Sequence, residues 1–371
     1  MNGSDTSSVP DPGPARGLPR WWIYRGNGEP LQGSLTDLLP PPPPWRTFGG
    51  GPVLPPPPPD EAETVRRLGM HRHSTRAVPA LAFSEADLVN AALLLRRPLL
   101  VTGRPGTGKS SLAYQVSREL RLGRVLRWHI TSRTTLQRGL YEYDAIGRVQ
   151  DTAALRAAAG DEHMEAQDSP LGVGNYVQLG PLGTALLPYA EPRVLLIDEL
   201  DKSDLDLAND LLSVFEEGSF AIPELLRSRR RHPTVRVLTD DPEGEAEIIG
   251  GRVNCRAFPL VIMTSNSERE FPPAFLRRCL LYQMPDPGED DLAEMLAAHF
   301  GEETARQWGG DLIARFLERS RERGGLAIDQ LLNSLYLATS HRTGGQDGSL
   351  LELADTVWHR LDGTGPGMKP A

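Results

Sequence analysis

The sequence predicts an α/β fold, an αβα sandwich with a parallel sheet, followed by a small all-α lid domain. Two observations carry this prediction. Short apolar segments alternate with helical segments, as in parallel sheets that have helices on both faces. From about residue 287 onward, the apolar spacing is that of helices alone.

Proline marks off the start of the chain. Residues 1–60 hold 16 of the 33 prolines, with five-residue runs at 40–44 and 55–59. Such runs form extended rods without internal hydrogen bonds. We therefore expect residues 1–79 to be a largely disordered N-terminal arm. Its WWIYRG motif at 21–26 is a docking element, either for this chain's own body or for a partner.

The elements of the remaining chain follow in order. A capping box at 84–87 opens a helix that runs to Leu95. We expect strands at 98–102, 125–130, 194–198 and 258–266, with a helix at 109–120 after the first of them. Helical segments are expected at 292–300, 312–317, 328–337 and 350–358. The predicted domains are thus an α/β domain at 80–286, a helical lid at 287–362 and a flexible tail at 363–371.

Two stretches interrupt the α/β pattern. Residues 147–175 are acidic and rich in alanine, without strong periodicity, and are expected to form a surface loop. Residues 228–256 begin with a basic run, and their later apolar segments are compatible with a β-hairpin. Loops of this length in a compact domain are commonly functional or disordered.

Charge and cysteine usage exclude several classes of protein. The formal net charge of −9 lacks the basic footprint of a nucleic-acid-binding protein. The two cysteines, Cys255 and Cys279, are part of no CxxC pattern and suit a reducing compartment. The most apolar stretch, at 91–101, is far too short to span a bilayer. We expect a cytoplasmic protein without membrane insertion.

A glycine-rich loop between the first strand and its helix predicts a bound nucleoside triphosphate. Residues 103–110 read GRPGTGKS and match GxxxxGK[ST], the P-loop of NTPases. Glycines let consecutive N–H groups face phosphate oxygens, and the following helix directs its positive end at the same anion. Lys109 should reach the β- and γ-phosphates, and Ser110 should bind Mg²⁺. The expected nucleotide-binding residues are Gly103, Arg104, Pro105, Gly106, Thr107, Gly108, Lys109, Ser110, Ser111 and Asp198.

Two carboxylates at the end of a later strand complete the expected magnesium site. VLLIDELDK at 194–202 is an apolar strand that ends in Asp198 and Glu199. Asp198 should hold Mg²⁺ together with Ser110, and Glu199 should activate the attacking water. The alternative is an ordinary strand with acidic residues at its exit. A paired Asp-Glu favours hydrolysis over phosphoryl transfer to a small molecule.

Further polar residues follow the next strand. Asn266 ends it in the motif TSN and could hold water near the γ-phosphate, although asparagine often ends strands for structural reasons. Arg277 and Arg278 end a short helix. One of them could stabilise transition-state charge on a neighbouring subunit's nucleotide. Alternatively, they interact favourably with the helix dipole.

In this order, the motifs resemble those of the AAA+ ATPases, and within them the MoxR branch. The resemblance covers about residues 83–358 and rests on GRPGTGKS, GLYEYDAIGR, GPLGTAL, LLIDELDKSD, NDLLSVFEEGSFAIPE, MTSN and AFLRR. It implies ATP and Mg²⁺ as ligands, and a homo-oligomer, usually a hexamer. It also implies chaperone-like remodelling of a partner, in some members a von Willebrand factor A domain protein. Relatives carry a further lid arginine, for which Arg323 is the nearest candidate here.

Three other functions stay open at this point. One is a small-molecule phosphotransferase, another is a nucleotide-dependent switch or scaffold, and the third is a DNA-acting motor of the restriction type. All share the P-loop. The Asp-Glu pair argues against the first and the acidic net charge against the third.

Overall fold

The computed structural model describes residues 19, 21–70, 84–159, 172–322 and 326–340. Its strands are β1 Leu99–Thr102, β2 Leu126–His129, β3 Tyr141–Tyr143, β4 Val177–Leu179, β5 Val194–Asp198, β6 Ser219–Ala221, β7 Thr234–Leu238, β8 Glu245–Ile249, β9 Arg252–Asn254, β10 Leu260–Ser265 and β11 Leu280–Gln283. Its helices are α1 Leu35–Leu38, α2 Glu61–Leu68, α3 Glu85–Leu95, α4 Ser111–Leu120, α5 Leu136–Leu140, α6 Ala145–Ala159, α7 Pro181–Ala185, α8 Leu205–Glu217, α9 Pro223–Ser228, α10 Pro273–Leu276, α11 Glu289–Phe300, α12 Glu302–Glu322 and α13 Ile328–Ser340.

The central sheet has five parallel strands in the order β11-β1-β10-β5-β2. Both faces are apolar, as expected for a sheet covered by helices on either side. The strands predicted from the sequence are present, with ends within two residues of those expected. The predicted parallel αβα sandwich followed by a helical region is therefore confirmed.

The sheet register determines where functional side chains meet. Thr102 pairs with Ser265, so β1 and β10 end side by side. His129 pairs with Asp198 at the ends of β2 and β5. Because these strands are parallel, all four carboxyl ends lie at one edge of the sheet, which is where ligands bind in such folds.

A second sheet, in the order β3-β4-β7-β8-β9-β6, is mainly antiparallel. It contains β7 and β8, the hairpin predicted within residues 228–256. The stretch at 147–175 differs from the expectation, because its first part belongs to the helix α6. Alanine favours helix without any amphipathic pattern, and the Asp144 carboxylate accepts a hydrogen bond from the Gly147 N–H at 2.8 Å, where α6 begins. Residues 160–171 lie outside the described part.

The C-terminal helices α11, α12 and α13 enclose an apolar cluster of their own, which includes Leu292, Leu296, Phe316, Leu331 and Leu335. Three acidic residues in the first turn of α11 interact favourably with the helix dipole. The fourth predicted helical segment, at 350–358, lies outside the described residues, as does Arg323. Among the described helices, none has the length and apolar character needed to cross a bilayer.

Residues 21–70 lie against the α/β body, and here the structure differs from the largely disordered arm that we expected. Tyr24, Leu35 and Leu68 are each only 1% exposed. The residues between the prolines carry apolar anchors, and side chains of the body bind the backbone of the arm. The Glu119 carboxylate, for example, accepts hydrogen bonds from the N–H groups of Gly26 and Gly28, at 3.1 and 3.0 Å. Composition alone could not show these distant partners.

Asn90 on α3 is a second anchor of the arm. Its side chain is fully buried. Its Oδ1 accepts from the N–H groups of Ile23 (2.7 Å) and Tyr24 (3.0 Å), and its Nδ2 donates to the carbonyls of Tyr24 (2.6 Å) and Ala86 (2.7 Å). One amide thus satisfies three backbone groups of the WWIYRG motif.

Asn90→Ala is expected to release residues 21–26 from α3. The change leaves buried N–H and C=O groups without partners, which should lower the free energy of unfolding by about 3 kcal/mol. Urea denaturation and limited proteolysis of the arm measure the effect. Asn27→Ala, in a loop where the side chain caps only the Glu29 N–H, is the control. Equal protease resistance of both variants would argue against arm docking through Asn90.

Candidate functional site

The glycine loop joins β1 to α4 at the edge where the strands end. Gly106 and Gly108 have φ values of 74° and 90°, in the left-handed region that favours glycine. A Cβ on Gly106 would lie 2.6 Å from the Ala327 Cα atom, so the residues that precede α13 also require glycine there. Thr107 is buried, and its Oγ1 donates to the Arg104 carbonyl at 2.9 Å. The loop is therefore held in the wrapped form that phosphate binding needs.

Lys109 lies at the centre of this loop, and only 7% of the residue is exposed. Its Nζ donates to the carbonyls of Gly103 (2.8 Å) and Arg104 (2.7 Å) and to the Asn266 Oδ1 (2.8 Å). Burial lowers the pKa of Lys109, whereas the nearby carboxylates, Asp201 first among them, act in the opposite direction. The structure thus brings together the predicted Lys109 and Asn266, which are far apart in sequence.

Asp198 and Ser110 meet as the sequence predicts for a magnesium site. The Ser110 Oγ donates to the Asp198 Oδ1 at 2.6 Å. Burial alone would raise the pKa of Asp198, but hydrogen bonds from Ser110, Arg127 and Thr264 hold it below its usual value. The Arg127 Nη2 lies 2.8 Å from the second carboxylate oxygen. Asp198 is therefore ionised and presented as an oxygen ligand.

The pair fits Mg²⁺, which prefers hydroxyl and carboxylate oxygens and keeps several water and phosphate ligands. Within the described ranges, no three His, Cys, Asp or Glu side chains group as a metal site. A Mg²⁺ ion held by the oxygens of Ser110 and Asp198 and by the phosphates of a nucleotide would need no third protein ligand.

Glu199 follows β5 in a left-handed conformation, with φ of 63°. Its N–H donates to the Thr264 Oγ1 at 2.9 Å, which holds this sharp turn. The side chain is 30% exposed and pairs with the Lys202 Nζ at 2.8 Å, and the His129 Nε2 lies 3.9 Å away. Backbone strain of this kind commonly marks functional sites. The Glu199 carboxylate is reachable by solvent beside the buried Asp198.

Asp201 holds the turn that carries Asn266. Only 2% of this residue is exposed. Its Oδ2 accepts hydrogen bonds from the N–H groups of Asn266 (2.9 Å) and Glu268 (3.1 Å). The turn includes Ser267 with φ of 63°. The amide of Asn266 is thus positioned by a carboxylate from the segment that follows β5.

Arg277 and Arg278 lie away from these residues, after α10. The Arg278 Nε pairs with the Glu216 carboxylate on α8, and its Nη1 donates to the Ala274 carbonyl at 3.2 Å. Arg277 is exposed, and its guanidinium has no hydrogen-bond partner among the residues that the structure describes. Neither arginine lines the cavity that contains Lys109.

That cavity has a volume of about 540 Å³ and is shared by three parts of the chain. The α/β body contributes the glycine loop and the strand ends. The helical region contributes Asp291, Glu294, Met295, His299, Ile328, Asp329 and Leu332. The arm contributes Tyr24, Gly26, Gly28, Arg66, Arg67 and Leu68. Of the predicted loop residues, Pro105, Gly106, Gly108, Lys109, Ser110 and Ser111 line it, while the Arg104 guanidinium pairs with Asp286 at 3.1 Å.

Sequence reasoning missed Arg127, His129, Thr264 and Asp201. The first two had a detectable signal, because they alternate along an apolar strand and so share one face of it. Thr264 and Asp201 gave none, since a threonine in a strand and a third acid after a strand are both common. The arm residues were missed because proline content suggested that this part of the chain is not packed.

The comparison with family models agrees with the presence of a glycine loop between β1 and α4. Residues 98–279 match the family model described as AAA domain (dynein-related subfamily). Among solved structures, PCH-2 of C. elegans is similar at 14% identity, with TM-score 0.33, over 72% of this chain and 62% of that one. The Thermotoga maritima RuvB Holliday junction branch migration motor is similar at 15% identity, with TM-score 0.34, over 73% and 65%. The chain thus spans less than two thirds of either protein. No curated protein matches it in sequence.

Proposed function

We propose that the chain is a ring-forming, Mg²⁺-dependent ATPase of the MoxR branch that remodels a partner protein, on the premise that its residues 98–279 match the model of an AAA domain. The domain makes the chain an enzyme that hydrolyses ATP. The observation that carries the proposal is the solvent-reachable Glu199 carboxylate, placed beside the Ser110–Asp198 pair and the buried Lys109 of the same cavity.

The loop residues bind the phosphates. Backbone N–H groups at the start of α4 face the anion, and the Lys109 ammonium exchanges some of its present oxygen partners for phosphate oxygens. Ser110 and Asp198 would hold Mg²⁺, which would neutralise part of the phosphate charge. Thr264 and Arg127 hold Asp198 in place through its two carboxylate oxygens.

Glu199 is the general base in this proposal. It accepts a proton from the attacking water while the water oxygen forms a bond to the γ-phosphorus. The bond between the γ-phosphorus and the bridging oxygen breaks, which leaves ADP and inorganic phosphate. The Lys202 ammonium pairs with this carboxylate at 2.8 Å. Asn266, held by Asp201, orients water and γ-phosphate from the neighbouring strand end.

A second copy of the chain supplies the remaining positive charge. The α10 arginines lie outside their own subunit's cavity, so they could act only on a neighbour's nucleotide. Of the two, Arg277 is the better candidate, because Arg278 is already paired with Glu216. The resemblance of AFLRR and its preceding motifs to the MoxR branch supports a homo-oligomeric, hexameric ring. It also supports a protein client, for which a von Willebrand factor A domain protein is our candidate.

The dependence of turnover on protein concentration tests this assembly. We expect the rate per chain to rise with concentration until rings are complete, because each site needs an arginine from its neighbour. A rate per chain that stays constant down to concentrations where only monomers sediment would contradict the shared site, although not ATP hydrolysis itself.

Arg277→Ala should lower kcat by roughly 100- to 1,000-fold and leave ATP binding nearly unchanged, because a guanidinium delivered from a neighbour acts on transition-state charge. Arg278→Ala is the matched control, since it removes the adjacent guanidinium and its pair with Glu216. Steady-state ATPase assays at ring-forming concentration compare the two. If Arg278→Ala lost more of its kcat than Arg277→Ala, Arg278 would be the arginine that acts on the neighbour's nucleotide.

The client is tested through binding to the full chain. Glu199→Gln, which keeps ATP bound, is the variant to use as bait. We expect a von Willebrand factor A domain protein to be retained with ATP and released with ADP. Retention that does not depend on the nucleotide would argue against remodelling of that partner.

A further inference from the structure

Two arginines of the N-terminal arm line the nucleotide cavity. Arg66 and Arg67 are on the last turn of α2, and the cavity that they line also contains Lys109 and Asp198. The arm was expected to be largely disordered. Its α2 instead packs against α4, the helix that follows the phosphate-binding loop.

A network of contacts holds Arg67 over α4. The Glu63 carboxylate accepts from the Arg67 Nε at 2.9 Å and from the Arg66 Nε at 2.7 Å. The Arg67 guanidinium carbon lies 5.6 Å from the centroid of the Tyr114 ring. Tyr114 comes four residues after Ser110 and therefore on the same face of the helix, one turn beyond the predicted magnesium ligand. Arg67 is consequently held near the phosphate end of the cavity.

The electrostatics of the site agree with this position. Burial would lower the pKa of Arg67, but the hydrogen bond with Glu63 and the negative charges of its surroundings, Asp198 included, raise it. The field of the magnesium-binding carboxylate thus reaches this guanidinium. Arg67 is 26% exposed and Arg66 66% exposed at the side chain, so both remain accessible to a ligand.

The helical region offers no comparable arginine where the structure describes it. Its cavity-lining residues are acidic or apolar, apart from His299. They include Asp291, Glu294 and Asp329, which would repel phosphate. Positive charge on that side of the nucleotide must therefore come from elsewhere. The cavity lining offers Arg66 and Arg67 of the arm, together with Arg118 and Arg127 of the α/β body, and Arg127 is already paired with Asp198.

We propose that Arg67, with Arg66 beside it, binds phosphate groups of the nucleotide, so that the arm is part of the ATP site of its own subunit. The proposal rests on the proposed binding of ATP at this cavity. A guanidinium presents paired N–H donors that match phosphate oxygens, and Arg67 is already oriented by Glu63 and Tyr114. Because the Met70 N–H donates to the Ala298 carbonyl at 2.9 Å, the same segment also contacts α11 of the helical region.

Binding of ATP and of inorganic triphosphate to the full chain tests the proposal. In competition with a fluorescent ATP analogue in the presence of Mg²⁺, Arg66→Ala/Arg67→Ala should weaken both ligands by the same factor, about tenfold or more. Arg67→Lys keeps the positive charge but not the paired N–H donors of the guanidinium, so it should show a smaller loss of affinity for both ligands. Arg25→Ala removes an exposed arm arginine that does not line the cavity, and it should bind both ligands like the wild type.

Other outcomes overturn the proposal. Unchanged affinities in the double variant would remove the arm from the site. A loss for ATP but not for triphosphate would assign the arginines to the nucleoside and not to the phosphates. If the double variant unfolds, as circular dichroism would show, an Arg67→Lys variant with wild-type affinities for both ligands overturns it. Failure of the wild type to bind ATP would instead contradict the proposed function, so the two failures are distinguishable.

Discussion

Replacing Glu199 with glutamine should lower kcat by about 100-fold or more and leave ATP bound, because the amide cannot take the proton of the attacking water. Its carboxylate is at the end of β5, is 30% exposed and pairs with Lys202, which suits a group that meets water. The hydrogen bonds of the Lys109 Nζ and the Ser110–Asp198 pair do not involve it. Single-turnover hydrolysis and equilibrium ATP binding separate the two effects.

The control for Glu199→Gln is Glu247→Gln. Glu247 is exposed on the hairpin strand β8, and the Arg236 guanidinium lies 3.7 Å from its carboxylate. Surface changes of this kind alter stability by only about 0.5 kcal/mol or less. If Glu199→Gln hydrolysed ATP as fast as Glu247→Gln, the general-base role would be wrong.

Lys109→Ala should abolish measurable ATP binding, with an affinity loss of about 100-fold or more, since a buried cation beside the phosphates is removed. The chain should remain folded, because the three oxygens that now surround the Nζ, two loop carbonyls and the Asn266 Oδ1, lie beside a cavity that solvent can enter after the change. Fluorescence binding of a labelled ATP analogue and a thermal melt measure the two properties.

Lys109→Arg provides the matched variant for this prediction. The loop accepts a compact ammonium between the carbonyls of Gly103 and Arg104, and a planar guanidinium has a different donor geometry. We therefore expect arginine not to restore binding. Wild-type affinity in both variants would refute the assignment of the phosphate site to residues 103–110.

Residues that follow buried strands were the most predictable part of the site. Lys109, Asp198 and Asn266 each come just after an apolar segment, and parallel strands bring their carboxyl ends to one edge. The hydrogen bond from Lys109 to Asn266 and the contact between Ser110 and Asp198 follow from that arrangement. The local sequence pattern was sufficient here, because a parallel sheet brings the ends of its strands together even when they are far apart in sequence.

Other features depend on contacts that no local pattern reveals. The arm is held by Asn90 and Glu119, which lie more than 60 residues away from the backbone groups that they bind. Proline content indicated extended backbone without internal hydrogen bonds, but it could not show that the body would supply the partners. In the same way, Arg127 looked like a polar interruption of a strand until its contact with Asp198 was visible.

Helix α6 shows a different limit of sequence reasoning. Its residues lack an amphipathic period, and the exposed fractions of Ile146 and Val149, 72% and 67%, show apolar side chains on the solvent side. A periodicity test therefore had nothing to detect. The helix propensity of alanine was the informative signal, and it was outweighed by the expectation of a loop.

Mixing two inactive variants tests the central claim most directly, namely that each ATP site is completed by Arg277 of a neighbouring subunit. Chains with Glu199→Gln keep Arg277, and chains with Arg277→Ala keep Glu199. In mixed assemblies some sites would receive an intact base and an intact arginine from different chains. We predict that ATPase activity rises on mixing well above the low activity of either variant alone. A mixture that assembles but stays as inactive as its components would contradict a site shared between subunits.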